Sequence, residues 1–163
     1  MRSLPQDAVF AVVAAGIAAG ISSTLAQMLL WLVFTDNFPE VLFRDARLTA
    51  GLLLGTAVLP PPESFDAIVM LVATVVHFSL SICYSAAIGA FTSRLKTTAG
   101  VVTGASFGAA LYAVNLYGFT ELFPWFVQAR DWITFVAHLV FGLTVVETNR
   151  FLRSRGGAKL LLG

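Results

Sequence analysis

Long apolar runs separated by short polar segments set the pattern of the chain. Four of these runs are long: residues 8–34, 67–91, 99–119 and 132–149. A helix needs about 20 apolar residues to cross the hydrocarbon core of a bilayer, so each run predicts one membrane-spanning helix. The first run is about twice as long as the apolar core of a signal peptide, and we expect it to be a retained helix.

A fifth apolar run, residues 48–59, is too short to cross a bilayer as a helix. It ends at three consecutive prolines, residues 60–62, which cannot continue a helix because proline lacks the backbone donor and fixes φ. The run predicts a short interfacial or re-entrant helix, with a tilted fifth span as the alternative. In the loop that follows, Ser64 is the predicted N-cap of the second span.

The composition favours the same fold class. The 163 residues are 58% hydrophobic and 12% charged, roughly half the charged fraction of a soluble domain. We therefore predict an all-α polytopic membrane protein with four transmembrane helices, forming a single transmembrane domain over residues 1–163. The lone cysteine, Cys83, excludes an intramolecular disulfide. The net charge of +1 gives no indication of a nucleic-acid partner, and the lipid bilayer is the expected environment.

Basic residues are distributed unevenly between the two sides of the predicted bundle. With four spans both termini lie on one side, which carries seven lysines and arginines: Arg2, Arg94, Lys96, Arg150, Arg153, Arg155 and Lys159. The other side carries three: Arg44, Arg47 and Arg130. By the positive-inside rule we expect a bacterial inner-membrane protein with both termini in the cytoplasm and a basic cytoplasmic tail over residues 151–163.

Two stretches of the chain share a pattern: a Phe-Thr-acidic-x-Phe-Pro motif, then an Arg-Asp pair, then a histidine. The first has residues 34–39, Arg44, Asp45 and His77, and the second has residues 119–124, Arg130, Asp131 and His138. The duplication predicts two two-helix repeats, residues 8–93 with an insertion near residues 47–71, and residues 97–150. Each repeat holds an even number of spans, so the halves run in the same direction, as in the parallel repeats of some transporters.

Charged residues around the two Phe-Pro motifs form a candidate periplasmic rim: Asp36, Arg44, Asp45, Glu121, Arg130 and Asp131. One interpretation is topological, with the acidic residues hydrated beyond the span ends and each Arg-Asp aspartate capping the helix that follows. The other interpretation is a paired binding surface for a charged ligand or partner.

Small residues at a spacing of four predict helix-packing surfaces in two spans. The third span has Gly100, Gly104 and Gly108, and the first span has Ala15, Ala19 and Ser23 at the matching positions of the repeat. Small residues let helices in lipid approach closely, so we expect the first and third spans to cross each other here. Near the end of the fourth span, Glu147 and Arg150 are three residues apart and are expected to form an ion pair.

Polar residues inside the predicted spans are costly in lipid and indicate candidate functional positions. The candidate intramembrane site consists of His77, His138, Gln27, Asn115 and Tyr84. Three interpretations stay open for the histidines: hydrogen bonds between helices, a proton or substrate site, and bis-histidine ligation of haem b between two spans. No metal site and no other cofactor is predicted.

The sequence contains no recognisable nucleophile–base pair, phosphate-binding loop or paired-carboxylate site, so we expect a non-enzymatic protein. The leading hypothesis is an accessory or assembly subunit of a larger membrane complex, or a small homo-oligomeric module. The alternatives are a small transporter or channel with a polar path that includes both histidines, and a haem-binding electron carrier.

Residues 38–55, 59–81 and 112–142 resemble a family of small four-helix proteobacterial inner-membrane proteins of unknown function. Members of that family sometimes carry the label sodium:proline symporter. The resemblance implies an inner-membrane location and adds little chemistry. This chain does not support the symporter label, because symporters of that kind have many more spans and broken helices that coordinate sodium.

Overall fold

The computed structural model describes residues 6–92 and 96–160. This part of the chain forms five α-helices: α1 (Gln6–Phe34), α2 (Glu40–Leu54), α3 (Ala67–Thr92), α4 (Thr97–Ala113) and α5 (Trp132–Leu160). A π-helical turn, Val114–Gly118, continues α4, and short 3-10 segments lie at Thr56–Val58, Phe119–Glu121 and Pro124–Ala129.

Four helical segments are long and apolar enough to cross a membrane: Asp7–Phe34, Ala67–Gly89, Thr97–Glu121 and Trp132–Arg153. They coincide with the four predicted runs, so the predicted all-α fold with four potential membrane spans is confirmed. Large apolar side chains such as Phe10, Leu29 and Leu71 are exposed on these helices, as expected where the surrounding solvent is lipid rather than water. Helix α5 continues to Leu160 and takes in most of the predicted basic tail, whereas Arg2 and Arg94 lie outside the described residues.

Helix α2 corrects the prediction of a short helix at residues 48–59. It begins at Glu40 and ends at Leu54, where Gly55 adopts a φ of 77° that side-chain-bearing residues rarely take. The apolar run gave the wrong bounds because Arg44, Asp45 and Arg47 lie inside this amphipathic helix and interrupt its apolar residues. A helix with one buried face needs only part of its residues to be apolar.

The buried guanidinium of Arg47 holds the proline-rich loop against α2. Its Nη1 donates to the Val58 carbonyl at 3.2 Å, and its Nε and Nη2 donate to the Ser64 carbonyl at 3.3 and 3.2 Å. From the other side of α2, the Trp125 indole donates to the Leu48 carbonyl at 3.0 Å. These contacts fix α2 between α3 and the segment that precedes α5.

Aspartates cap two of the spans. Asp131 Oδ1 accepts a hydrogen bond from Thr134 N at 2.7 Å, so Asp131 caps α5 as predicted. The corresponding prediction for Asp45 is wrong, because Asp45 lies inside α2. The prediction of Ser64 as the N-cap of the second span is also wrong: Asp66 Oδ1 accepts from Ile68 N at 2.9 Å and from Val69 N at 3.0 Å.

Helix α5 is the centre of the bundle and packs extensively on α1 and α4, and also on α3. The glycine stripe of α4 therefore faces α5, and the predicted crossing of the first and third spans is wrong. A Cβ atom at Gly104 would lie 2.9 Å from the Gly142 carbonyl oxygen, and one at Gly108 would overlap the His138 carbonyl. The stripe on α4 was visible in the sequence, but its partner on α5, Gly142, was not part of a stripe of small residues.

The small residues of α1 are buried as well. Ala15, Ala19 and Ser23 are at most 7% exposed, and the two alanines pack with Val145 and Val146 of α5 in one apolar cluster. At the far end of α5, Glu147 and Arg150 form the predicted ion pair at 2.6 Å, next to Gly100. The small residues thus let α5 approach both α1 and α4.

Replacing Gly108 or Gly142 by alanine should destabilise the bundle, because each new methyl group would overlap the backbone of the facing helix. We expect a loss of about 1–3 kcal/mol or more for each, measured as a lower Tm of the detergent-solubilised protein. Gly118→Ala is the matched control, since a Cβ there meets no atom within 4 Å. Unchanged melting of both variants would contradict this close packing of α4 and α5.

Candidate functional site

A cavity of about 610 Å³ lies between the helices at the end of the bundle where α1 ends and α5 begins. Residues of all five α-helices line it, together with the π-helical turn and the segments before α5. All five residues of the predicted intramembrane site line this one cavity: Gln27, His77, Tyr84, Asn115 and His138. Residues from four separate spans are therefore brought together.

A π-helical turn carries Asn115 in the cavity lining. The turn Val114–Gly118 follows α4 without a break, and Val114 N contacts the carbonyls of both Ala110 and Leu111. A π-turn rotates the residues that follow it relative to a regular helix, and such turns are frequent at functional sites. Asn115 lines the cavity from this turn, while Leu116 is buried beside it.

A directed chain of hydrogen bonds connects α3, the π-turn and α5. The Tyr84 hydroxyl donates to Asn115 Oδ1 at 2.7 Å, and Asn115 Nδ2 lies 3.5 Å from His138 Nε2. His138 Nδ1 lies 2.8 Å from the Thr134 carbonyl oxygen. Because a carbonyl can only accept, we assign the proton of the neutral imidazole to Nδ1 and the acceptor role to Nε2. The hydrogen bond between Asn115 and His138 is the longest of these three.

The other polar residues of the site join α1 to its neighbours. His77 Nε2 lies 3.3 Å from both Thr24 Oγ1 and the Gly20 carbonyl oxygen. Gln27 Nε2 donates to Thr134 Oγ1 at 3.2 Å. The two histidines share the cavity, and His77 bonds to α1 whereas His138 bonds within α5 and to the π-turn.

The six predicted rim residues have different surroundings. Asp36 and Glu121 are exposed, and Asp131 caps α5. Arg130 donates to the Leu116 carbonyl at 2.6 Å and to Thr120 Oγ1 at 2.7 Å, and lies 4.2 Å from the centre of the Tyr117 ring. Arg44 is paired with Asp45 at 2.7 Å. Of the six, Asp45 lines the cavity.

The carboxyl group of Asp45 has an unusual electrostatic environment. Its side chain is 18% exposed, and burial raises its pKa from 3.8 to about 6, although Arg44 lowers it. The carboxylates of Asp131 and Glu63 raise this pKa further by repulsion. The carboxyl group therefore changes charge near pH 6, in a cavity that also contains two histidines.

Several lining residues were not predicted from the sequence. Thr24 and Thr134 lie three and four residues before Gln27 and His138, a spacing that places them on the same helix face and that could have identified them. Asp45 was predicted as a rim residue, either a helix cap or part of a binding surface, and its place in the cavity had no sequence signal because its burial depends on the docking of α2.

Within the described part of the chain, no group of three or more His, Cys, Asp or Glu side chains is placed to hold a metal ion. Haem ligation needs only two histidines, so the haem hypothesis stays a prediction. Comparison with family models, with curated proteins and with solved structures found no match for this chain.

The raised pKa of Asp45 predicts a loss of stability as the pH rises. Below pH 3.8 the carboxyl group is largely protonated in both the folded and the unfolded protein. Between pH 3.8 and about 6 it ionises in the unfolded protein but stays largely protonated in the folded one, so the free energy of unfolding falls. This contributes at most about 3 kcal/mol. We expect Tm in detergent to fall over this range for the wild type and to fall less for Asp45→Asn.

Asp36→Asn is the control for this measurement, because Asp36 is an exposed carboxylate outside the cavity. This variant should keep the wild-type slope of Tm against pH. If Asp45→Asn and the wild type had the same slope of Tm against pH, burial would not destabilise the charged form of the Asp45 carboxyl group.

Proposed function

We propose that this membrane protein binds a small, largely apolar molecule with a hydrogen-bonding group, as a small transporter does. The observation that carries the proposal is the convergence of five polar side chains from four spans on one cavity. The sequence favoured an accessory or homo-oligomeric module. We now favour the transporter alternative, because helix packing alone requires no such cavity.

The size and lining of the cavity support ligand binding. Ligand sites are commonly about 300–1,000 Å³, mainly apolar, with a few polar groups that orient the ligand. This cavity has a volume of about 610 Å³. Leucine, phenylalanine, methionine and alanine side chains make up most of its lining, and the histidines, Tyr84, Asn115 and Gln27 supply the polar groups.

The hydrogen-bond chain offers a specific place for the polar group of a ligand. The 3.5 Å separation between Asn115 Nδ2 and His138 Nε2 is at the limit of a hydrogen bond. A ligand donor can replace Asn115 at His138 Nε2, and the freed amide can donate to a ligand acceptor. The bonds of Tyr84 to Asn115 and of His138 to Thr134 keep both groups oriented during this exchange.

We place the protein in a bacterial inner membrane with both termini in the cytoplasm. The excess of lysine and arginine on the side of the termini supports this orientation. The cavity then lies in the half of the bundle that is nearer the periplasm, and the exposed Asp36 and Glu121 lie at that surface.

A cavity-filling variant tests the proposal whatever the identity of the bound molecule. Thr49 lines the cavity from the half-buried part of α2, and Thr49→Phe adds a ring to the cavity. We expect native mass spectrometry of the protein in lipid nanodiscs to show a retained small molecule on the wild type. The occupied fraction should fall about fivefold or more in the variant, since overpacking a site costs about 1–3 kcal/mol.

The control is Leu53→Phe, which adds a ring to the same helix at a residue that is 69% exposed. This variant should retain the small molecule as the wild type does. Equal occupancy in Thr49→Phe and the wild type, or a wild type without any retained molecule, would contradict ligand binding in the cavity.

A further inference from the structure

We propose that the cavity selects a lipophilic organic cation, whose charge is balanced by Asp45 and whose binding displaces a proton from that carboxyl group. The inference rests on the proposed function and specifies its substrate class. Three features of the cavity carry it: the sign of its charge, its aromatic lining, and an open oxygen atom on Asp45.

The formal charge of the lining is negative. Among the described residues that line the cavity, Asp45 is the one aspartate or glutamate, and no lysine or arginine is present. The hydrogen bonds of His138 are those of a neutral imidazole. The charged side chain that the lining presents to a ligand is therefore a carboxylate, which favours a cation over an anion, although Arg44 is paired with the same carboxylate.

Aromatic rings surround the rest of the cavity. The rings come from α1, α3, α5 and the segments that precede α5: Trp31, Phe78, Tyr84, Phe119, Phe123, Phe126 and Phe141. The face of an aromatic ring carries partial negative charge and attracts cations, above all where water is excluded. An apolar cation gains both from contact with the rings and from burial of its apolar surface.

One oxygen atom of Asp45 is available to a ligand. Arg44 approaches the carboxylate through Nε at 2.8 Å and through Nη2 at 2.7 Å, and both contacts are to Oδ1. Within the described part of the chain no hydrogen bond to Oδ2 is formed. The charged groups that act on Asp45 are Arg44 on its own helix, Glu63 in the loop before α3, and Asp131 before α5. The two carboxylates favour an additional cation beside Asp45 and partly offset the charge of Arg44.

Proton exchange follows from the titration of Asp45. Below pH 6 the carboxyl is largely protonated, and a cation that binds beside it favours the ionised form. The proton leaves the carboxyl oxygen for the solvent and the cation takes its place, with no other bond made or broken. Affinity for the cation should therefore rise with pH and level off above pH 6.

Tetraphenylphosphonium and tetraphenylborate test the sign of the charge alone, since the two ions have nearly the same shape, opposite charges and no hydrogen-bonding group. Binding to the full chain in detergent is measured by isothermal titration calorimetry. From the shift of the Asp45 pKa to about 6, the phosphonium should bind about tenfold more tightly at about pH 8 than at about pH 5. The borate should not bind.

Asp45→Asn keeps the shape of the side chain and removes its charge. We expect this variant to lose at least about tenfold in phosphonium affinity at about pH 8 and to lose the pH dependence. Asp36→Asn, an exposed carboxylate outside the cavity, should bind as the wild type does. The melting temperatures of both variants report whether each is folded. Repeating the titration at about pH 5, where the carboxyl group is largely protonated, in buffers of different ionisation enthalpy reports the released proton.

The cavity-filling variant Thr49→Phe separates failure of this inference from failure of the proposed function. Phosphonium binding that is lost in Thr49→Phe and unchanged in Asp45→Asn would overturn the role of Asp45 and leave ligand binding in the cavity intact. Equal binding of the borate, or no phosphonium binding by a wild type that retains another molecule in nanodiscs, would overturn cation selectivity alone. Phosphonium binding unchanged in both variants would place the probe outside the cavity and overturn the inference.

Discussion

The close approach of α4 and α5 at Gly104, Gly108 and Gly142 sets the geometry on which the cavity depends. Helices in lipid gain no hydrophobic free energy from meeting, so their association rests on van der Waals contact between closely packed backbones. Glycine permits that contact because it has no Cβ atom. Gly142 lies one turn after His138, and Gly108 lies two turns before Asn115, so the crossing also fixes the distance between the two polar groups that meet in the cavity.

The polar groups of the spans that line the cavity are arranged so that they remain neutral and hydrogen-bonded. Unpaired polar groups in an apolar medium cost several kcal/mol, and the chain from Tyr84 through Asn115 to His138 removes this cost without formal charge. Asp45 is different, because it lies on α2, which is not one of the four potential membrane spans. The amphipathic helix therefore supplies a charge to the cavity that the apolar spans do not carry.

Local features of the chain were predicted well where they depend on neighbouring residues. The four potential spans followed from the length of the apolar runs, and the cap by Asp131 followed from its position before a run. The bounds of α2 and the cap at Asp66 were missed, since a short amphipathic helix and a loop take their conformation from contacts such as those of Arg47 with Ser64. The repeat of the Phe-Pro motifs stays a prediction. Both halves do share the order of span, turn, short helical segment and span.

By itself the sequence determined that the chain suits a lipid environment, where the four potential spans lie and which polar residues they contain. These properties depend only on the hydropathy of contiguous stretches of residues. The tertiary structure decided which helices meet, and with it that α4 packs on α5 rather than on α1 and that the five polar residues line one cavity with Asp45. The glycine stripe of α4 is compatible with more than one partner. The choice between partners depends on matching surfaces from distant parts of the chain, which no local pattern contains.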